Sequence, residues 1–377
     1  MVVSQRGYLP VDHIGDLAEP MEGIKRIRLH YKGKPIQRNY FACWSKENTN
    51  YYIEEFVQIY KDYISKTYED DKELKLFQFL IFLLYGCRSF YIERAGKEVM
   101  KEVMIVVGAG QISMAIMRRM GAGKKIILGD KNIENAKNIQ KTMIDAGFDV
   151  DIMKVDLSSR EDILKTIETV KSFGKIKMLV NGAGVSPSQA PIESILRVDL
   201  YGTAVLLEEV GKVIEEGGVG ITISSQSGFR MKQLTAFEDE QLACTPTEEL
   251  LDLDILQPEN INDTLHAYQL AKRCNEKRVM AESVKWGQRG ARINAIAPGI
   301  IVTPLAIDEF NGPRGDFYKN MFLKCPAGRP GTADEVANVA ELLMNDKGAF
   351  ITGSTFLMDG GATASYYYGP LKPEGGK

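Results

Sequence analysis

The stretch VMIVVGAGQISMAIMRRMGAGKKIILGD, residues 103–130, decides the fold. Val103–Val107 is a short β-branched apolar run, the composition of a buried strand. Gly108-Ala109-Gly110-Gln111-Ile112-Ser113 follows at once and opens the helical pattern MAIMRRM. Lys125–Leu128 reads as a second short strand, and Asp130 stands at its end. A glycine turn of this kind presents backbone N–H groups at a helix N-terminus, where the macrodipole favours an anion such as a pyrophosphate. The first glycine permits the turn and the second lets the backbone approach the phosphates; a small third residue, here Ser113, lets the helix pack on the strand. Asp130 lies 22 positions beyond Gly108 (130 − 108). A carboxylate there can accept bonds from ribose hydroxyls and repel the extra phosphate of NADP, so NAD(H) is expected. The competing reading makes Asp130 a helix N-cap, and Lys131 beside it would soften the discrimination.

Working outward, further short strands are predicted at Ile152–Val155, Met178–Val180, Gly220–Ser224, Arg292–Ile296 and Thr355–Leu357, with helical patterns between them. Such alternation predicts an α/β fold, a doubly wound parallel sheet of Rossmann type with helices on both faces. Ligands then bind where the strands run out. The residues at those ends carry chemistry. Asn181-Gly182-Ala183-Gly184 would let a cofactor lie against backbone, and Pro298-Gly299 precedes Thr303, placed for the nicotinamide carboxamide. Ser224 and Ser225 end another strand, with Gly228 just beyond. Tyr268 and Lys272 stand four apart in a helical stretch and so share a face. A phenol titrates near 10, and a neighbouring cation lowers such a value by about 1–3 units, toward useful acid/base chemistry.

With these residues in order, positions 103–361 resemble the short-chain dehydrogenase/reductase family, and Thr352-Gly353 through Met358-Asp359-Gly360-Gly361 agree with its ending. The resemblance implies an oxidoreductase acting on a CH–OH group, with Tyr268 as acid/base, Lys272 holding the nicotinamide ribose, and Ser225 orienting substrate. It implies cofactor contacts at Gly108, Gly110, Gln111, Ile112, Asp130, Asp156, Leu157, Asn181, Gly182, Ala183, Tyr268, Lys272, Pro298, Gly299, Ile301 and Thr303, with Asp156 on the adenine. Substrate contacts are expected at Ser225, Gln226, Tyr268 and Phe229, and no metal is implied. Three departures stand out. The glycine turn is one residue short of the family's TGxxxGxG, with Gln111 and Ser113 in place of glycines. Asp199 stands where the family has an asparagine that completes a catalytic tetrad. Ser225 and Tyr268 are 43 positions apart (268 − 225), an unusually long gap.

That gap contains an insertion, 229–267, with nine acids against Arg230 and Lys232. It reads equally as a wall of the substrate pocket or as a solvated excursion. Phe229, Met231, Leu234, Phe237, Leu305, Phe310, Phe317 and Met321 are candidate lining for a hydrophobic substrate, or simply core. Residues 1–98 read as a helical extension, with a helical hairpin from about Thr49 to Tyr91, preceding a catalytic domain over 99–377. The extension and the insertion together are similar to those of bacterial 20β-hydroxysteroid dehydrogenases, which implies NADH-driven reduction of a cortisol-like ketone. Other hydrophobic or sugar alcohols, and a dinucleotide-sensing protein without turnover, are the alternatives.

Composition excludes other classes. Of 377 residues, 47 are basic and 50 acidic, without the basic excess of a nucleic-acid binder. The five cysteines are scattered, with no CxxC pair to make a disulfide framework or zinc site. No basic start leads into an apolar run, and Leu76–Cys87 is too short to span a bilayer, so a cytoplasmic protein is expected. The resemblance implies a homodimer or homotetramer. The segment from Tyr366 to Lys377 reads as a loose tail.

Overall fold

A computed structural model describes residues 30–31, 34–35, 101–312 and 315–373. The chain divides into two compact units, Met1–Ile92 and Glu93–Lys377. In the first, β1 (His30–Tyr31) pairs antiparallel with β2 (Lys34–Pro35). The helical hairpin expected there lies outside the described residues.

The second unit is built on β3 (Lys101–Val107), β4 (Lys125–Asp130), β5 (Asp149–Lys154), β6 (Gly174–Asn181), β7 (Val219–Ile223), β8 (Arg292–Pro298) and β11 (Thr355–Met358). All seven are parallel, in the order β11-β8-β7-β6-β3-β4-β5. A separate short parallel pair joins β9 (Ile301–Val302) to β10 (Gly331–Thr332). From β3 the chain winds out through β4 to β5, returns to β6 beside β3, and winds the other way. The switch point between β3 and β6 opens a crevice at their carboxyl ends.

The alternation of side chains along β3 fixes the two layers. Val103, Ile105 and Val107 pack with Ile163, Ile167 and Val170 of α3 (Arg160–Lys171), Val205 and Val210 of α5 (Thr203–Gly211) and Val279 of α7 (Thr264–Gln288). Met104 and Val106 face the other way, onto Ile116 and Met117 of α1 (Gln111–Met120), Ile139 and Met143 of α2 (Ile133–Asp145), and Ala340 and Leu343 of α10 (Ala333–Met344). Trp286 is fully buried and donates to the Leu207 carbonyl at 3.1 Å. Its indole fills the space left by Gly211 and Gly220, where a Cβ would collide with it. Truncating so large a buried side chain costs about 3–5 kcal/mol.

The insertion is tightly packed. It carries α6 (Ala236–Cys244), started by a capping box between Thr235 and Glu238. Leu242, Leu250, Leu253, Leu256 and Ile261 bury against Ala267, Leu270, Ala271 and Cys274 of α7. Two of its acids form ion pairs: Asp239 meets Arg273 at 2.6 Å and Lys277 at 2.8 Å, and Glu248 meets Arg160 at 2.5 Å. The insertion thus packs on α7 through its apolar residues, while Glu240, Glu249, Asp252, Asp254 and Glu259 are exposed. Tyr366–Tyr368 also departs from expectation. These residues end α11 (Ala362–Tyr368), because Tyr366 lies against Arg230 and the Tyr367 hydroxyl donates to the Phe229 carbonyl at 2.6 Å.

Candidate active site

The glycine turn sits at the end of β3. Gly108 has φ +97°, a conformation that costs a β-carbon-bearing residue energy, and a Cβ there would overlap the Ala183 backbone. Its N–H donates to the Gly129 carbonyl at 2.8 Å. Gly110 caps α1 with no side-chain bond, so the exposed start of that helix, with Gln111 at the surface, keeps its N–H groups available. Ser113 is buried against Gly182, where no Cβ would fit, which explains the need for small residues at both positions. Ile112 packs into the core behind the turn. On β6, Asn181 is buried; its amide donates to Thr203 at 3.1 Å, while its carbonyl oxygen has no partner.

Asp130 does not cap the next helix; Asn132 does. The Asp130 carboxylate instead accepts from the Ala109 N–H at 2.6 Å and the Asn132 N–H at 2.7 Å, one to each oxygen. It thereby braces the glycine turn. A carboxylate has about four acceptor positions, so two ribose hydroxyls still have a place. Lys131 turns away to Asp156, at 2.7 Å. Burial opposes ionisation of Asp156, but bonds from Lys131 and Ser158 outweigh it and hold its carboxyl below the usual range. The Leu157 carbonyl lies against Gly202, another position with no room for a Cβ.

The residues expected to carry the chemistry lie at the end of β7 and on α7. Ser225 is half-buried, with its hydroxyl accepting from the Ser227 N–H at 3.2 Å. The Ser224 hydroxyl donates to the Lys272 carbonyl at 3.0 Å and so ties the strand end to the helix. Tyr268 is half-buried, and the Lys272 ammonium lies 5.1 Å from its ring centroid. Lys272 is buried and meets Asp199 at 3.1 Å. Asp199 arrives from Leu196–Gly202, a π-helical stretch between α4 (Ile192–Ile195) and α5. Its other oxygen accepts from the Val185 N–H at 2.8 Å. Burial disfavours the Lys272 charge, yet Asp199 and Tyr268 outweigh it and raise the ammonium above its ordinary value. Burial pushes the Asp199 carboxyl up, with Lys272 pulling it back. Gly184 completes the group, since a Cβ there would press on both side chains.

One helical turn beyond Lys272, buried Glu276 faces Ser224 at 3.5 Å and Arg273 at 3.5 Å. Burial pushes its carboxyl up to about 8, against the pull of Arg273 and Lys277. Between its ordinary value and about 8, the folded protein therefore holds a proton that the unfolded chain releases, and stability falls as pH rises. Over that window the wild type loses on the order of a few kcal/mol relative to Glu276→Gln. Urea midpoints of both proteins across pH 5–8 check this; parallel curves would refute it.

Pro298 ends β8, and the Gly299 N–H donates to the Met358 carbonyl at 3.0 Å. The Thr303 hydroxyl accepts from the Ala306 N–H at 3.2 Å and starts α8 (Pro304–Asn311). A cavity of about 140 Å³ is lined by Gln226, Gly299, Ile301, Met321, Met358 and Asp359, among others. Phe229 is half-buried beside α11. Phe237 and Phe317 are 67% and 59% exposed, which removes them from the expected lining. Met231, Leu234 and Tyr268 each pack against the insertion's apolar cluster. Sequence reading passed over Glu276 and Arg230; the spacing of four from Lys272 was a usable signal only for the first.

The pattern described as short chain dehydrogenase matches residues 102–237, and that described as Enoyl-(Acyl carrier protein) reductase matches 242–363. The chain is similar to "Short-chain dehydrogenase/reductase bsc3" of Alternaria brassicicola, 36% identical over 70% of this chain and 96% of that protein. It is also similar to "3beta-hydroxysteroid dehydrogenase 2" of Eggerthella lenta, 26% identical over 69% of this chain and 94% of that protein. A solved short-chain dehydrogenase/reductase from Serratia marcescens superposes with a TM-score of 0.55 at 20% identity, over 71% of this chain and all of that one. The chain belongs to the short-chain dehydrogenase/reductase family, whose members bind nicotinamide dinucleotides and act as oxidoreductases on alcohols and ketones. Among the described residues, no helix is long and apolar enough to cross a membrane.

Proposed function

We propose that this protein interconverts a secondary alcohol and a ketone with NAD(H), using Tyr268 as acid/base, Lys272 and Asp199 as its charged support, and Ser225 to hold the substrate oxygen. The observation that carries the reading is the buried Lys272–Asp199 pair beneath Tyr268, an expensive arrangement to maintain without a task. The nicotinamide, when bound, gives or takes the hydride. The residues fit such a cofactor: the uncapped start of α1 is open at Gly110, where a Cβ would meet nothing, and the buried Asn181 oxygen beside the turn has no partner. In ketone reduction, Ser225 would hydrogen-bond the carbonyl oxygen and Tyr268 would deliver a proton to it; oxidation runs the same steps in reverse.

Support for NAD over NADP comes from Asp130, which keeps a carboxylate at the ribose position, and from Lys131, the adjacent cation, which is engaged by Asp156. NADH is expected to give the higher kcat/KM by about tenfold or more, and Asp130→Ala to shrink that ratio. A wild type that prefers NADPH would end the NAD reading. For the substrate, the hydroxysteroid dehydrogenase relative and the apolar edge formed by Met231 and Leu234 favour a hydrophobic frame such as a cortisol-like ketone. A panel of cortisol, terpenoid ketones and sugar alcohols, followed by NADH consumption, separates the candidates. A cytoplasmic homo-oligomer is the accompanying expectation, checked by mass in solution.

A further inference from the structure

Arg230 follows the reactive serine by five positions (230 − 225) and lies partly buried. The other guanidinium groups of the described fold that are partly buried or near this cavity have oxygen partners. Arg160 and Arg273 meet carboxylates, Arg289 and Arg292 meet backbone carbonyls, and Arg329, beside the same cavity, is held by both oxygens of Glu335 at 2.7 and 2.9 Å. Arg230 has none of this. One terminal nitrogen reaches only the Met321 sulfur at 3.7 Å, the Nε is buried without a partner, and the Tyr366 ring lies 5.9 Å away. Burial disfavours its charge, and the nearest acid, Asp359, only partly compensates. Asp359 itself is committed, one oxygen to the Gly361 N–H at 2.9 Å and the other to the Thr363 N–H at 2.7 Å.

A second buried group converges on the same point. The Gln226 amide nitrogen faces the Met321 sulfur at 3.9 Å, and its carbonyl oxygen has no partner. Gln226 and Met321 line the cavity that also includes Gly299, at the end of the nicotinamide-side strand. The Arg230 carbonyl accepts from Gln269, the residue after Tyr268, at 2.7 Å. Two donors thus meet over a polarizable, unbranched side chain whose three rotatable bonds give it other rotamers.

We propose that Arg230 and Gln226 form an anion subsite that takes the carboxylate of a hydroxy-acid or oxo-acid substrate, with Met321 moving aside. This rests on the oxidoreductase reading and names the class of molecule it acts on, an acid on a hydrophobic frame. A guanidinium fork offers a carboxylate two parallel, charge-assisted bonds that a methionine sulfur cannot match. A neutral ketone leaves that fork unused.

Binding is measured by titration calorimetry with the NAD-loaded protein, using cyclohexanecarboxylate and cyclohexanecarboxamide as matched probes. The carboxylate is expected to bind about tenfold or more tightly than the amide, and Arg230→Met to erase the difference. An unchanged thermal melt of the variant shows that it is folded, and Arg230→Lys, which keeps the charge without the fork, should retain part of the preference. Equal binding of the two probes, no binding of either, or a preference that survives in Arg230→Met overturns the subsite. NADH consumption with the ketone panel is read separately. Turnover of neutral ketones alongside equal probe binding would sink the subsite while leaving the oxidoreductase reading standing.

Discussion

Tyr268→Phe is expected to lower kcat by roughly 10²–10⁴-fold, the usual contribution of a positioned acid/base group. Only one oxygen atom is removed. The ring that packs at the edge of the insertion's apolar cluster stays, and so does the contact of that ring with the Lys272 ammonium. The fold and the glycine turn at Gly108 and Gly110 are untouched. NADH should therefore still quench protein fluorescence with a Kd within about threefold of wild type, an effect of less than 1 kcal/mol. Loss of turnover with retained binding puts the phenol in the chemical step. A variant that keeps most of its activity would move the proton transfer to another group and remove the central role given to this helix.

The second large effect is on stability. Asp199→Ala is expected to cost about 3–5 kcal/mol, because it leaves the buried Lys272 ammonium without its anion and the Val185 N–H without its acceptor. The pH window follows from the raised Lys272 value. A lysine held above its ordinary value contributes stability that is complete at lower pH and fades only as pH climbs through the alkaline range. The deficit of the variant should thus be full at pH 7 and shrink above about pH 10. Asp199→Asn keeps one acceptor oxygen, enough for the Val185 N–H or the Lys272 ammonium but not for both as the carboxylate serves them, and should lose less than Asp199→Ala. Urea denaturation of the three proteins measures this. A deficit under about 1 kcal/mol, the size of an exposed pair, would contradict a buried ionic contact.

Sequence patterning was most informative where a signal is local. Val103–Val107 and the glycines after it located the central strand and its turn, since strand alternation and glycine conformation act over a few residues. Tyr268 and Lys272 were readable for the same reason, being neighbours on one helix. The pairing of Lys272 with Asp199 was not, because their approach depends on how two distant helical segments pack. The acids of the insertion misled in a similar way. Asp239 looks solvated in a one-dimensional count, but its partners Arg273 and Lys277 lie on another element. Phe237 and Phe317 show the reverse error, since an aromatic residue near a site carries no mark of which way it points. The loose reading of Tyr366 failed because its stabilising neighbour, Arg230, is far away in the chain.

The π-helical stretch at Leu196–Gly202 has a further meaning. A π turn is an α turn with one residue added, a local insertion that a helix tolerates only at some cost. Each residue of an α-helix advances the face by about 100°. Deleting one residue between Leu196 and Val198 would restore α geometry and swing Asp199 away from Lys272 by about that angle. The chain length of this segment thus sets the pairing: one extra peptide unit turns what would be a core-facing helix into the wall that delivers a carboxylate to the buried Lys272.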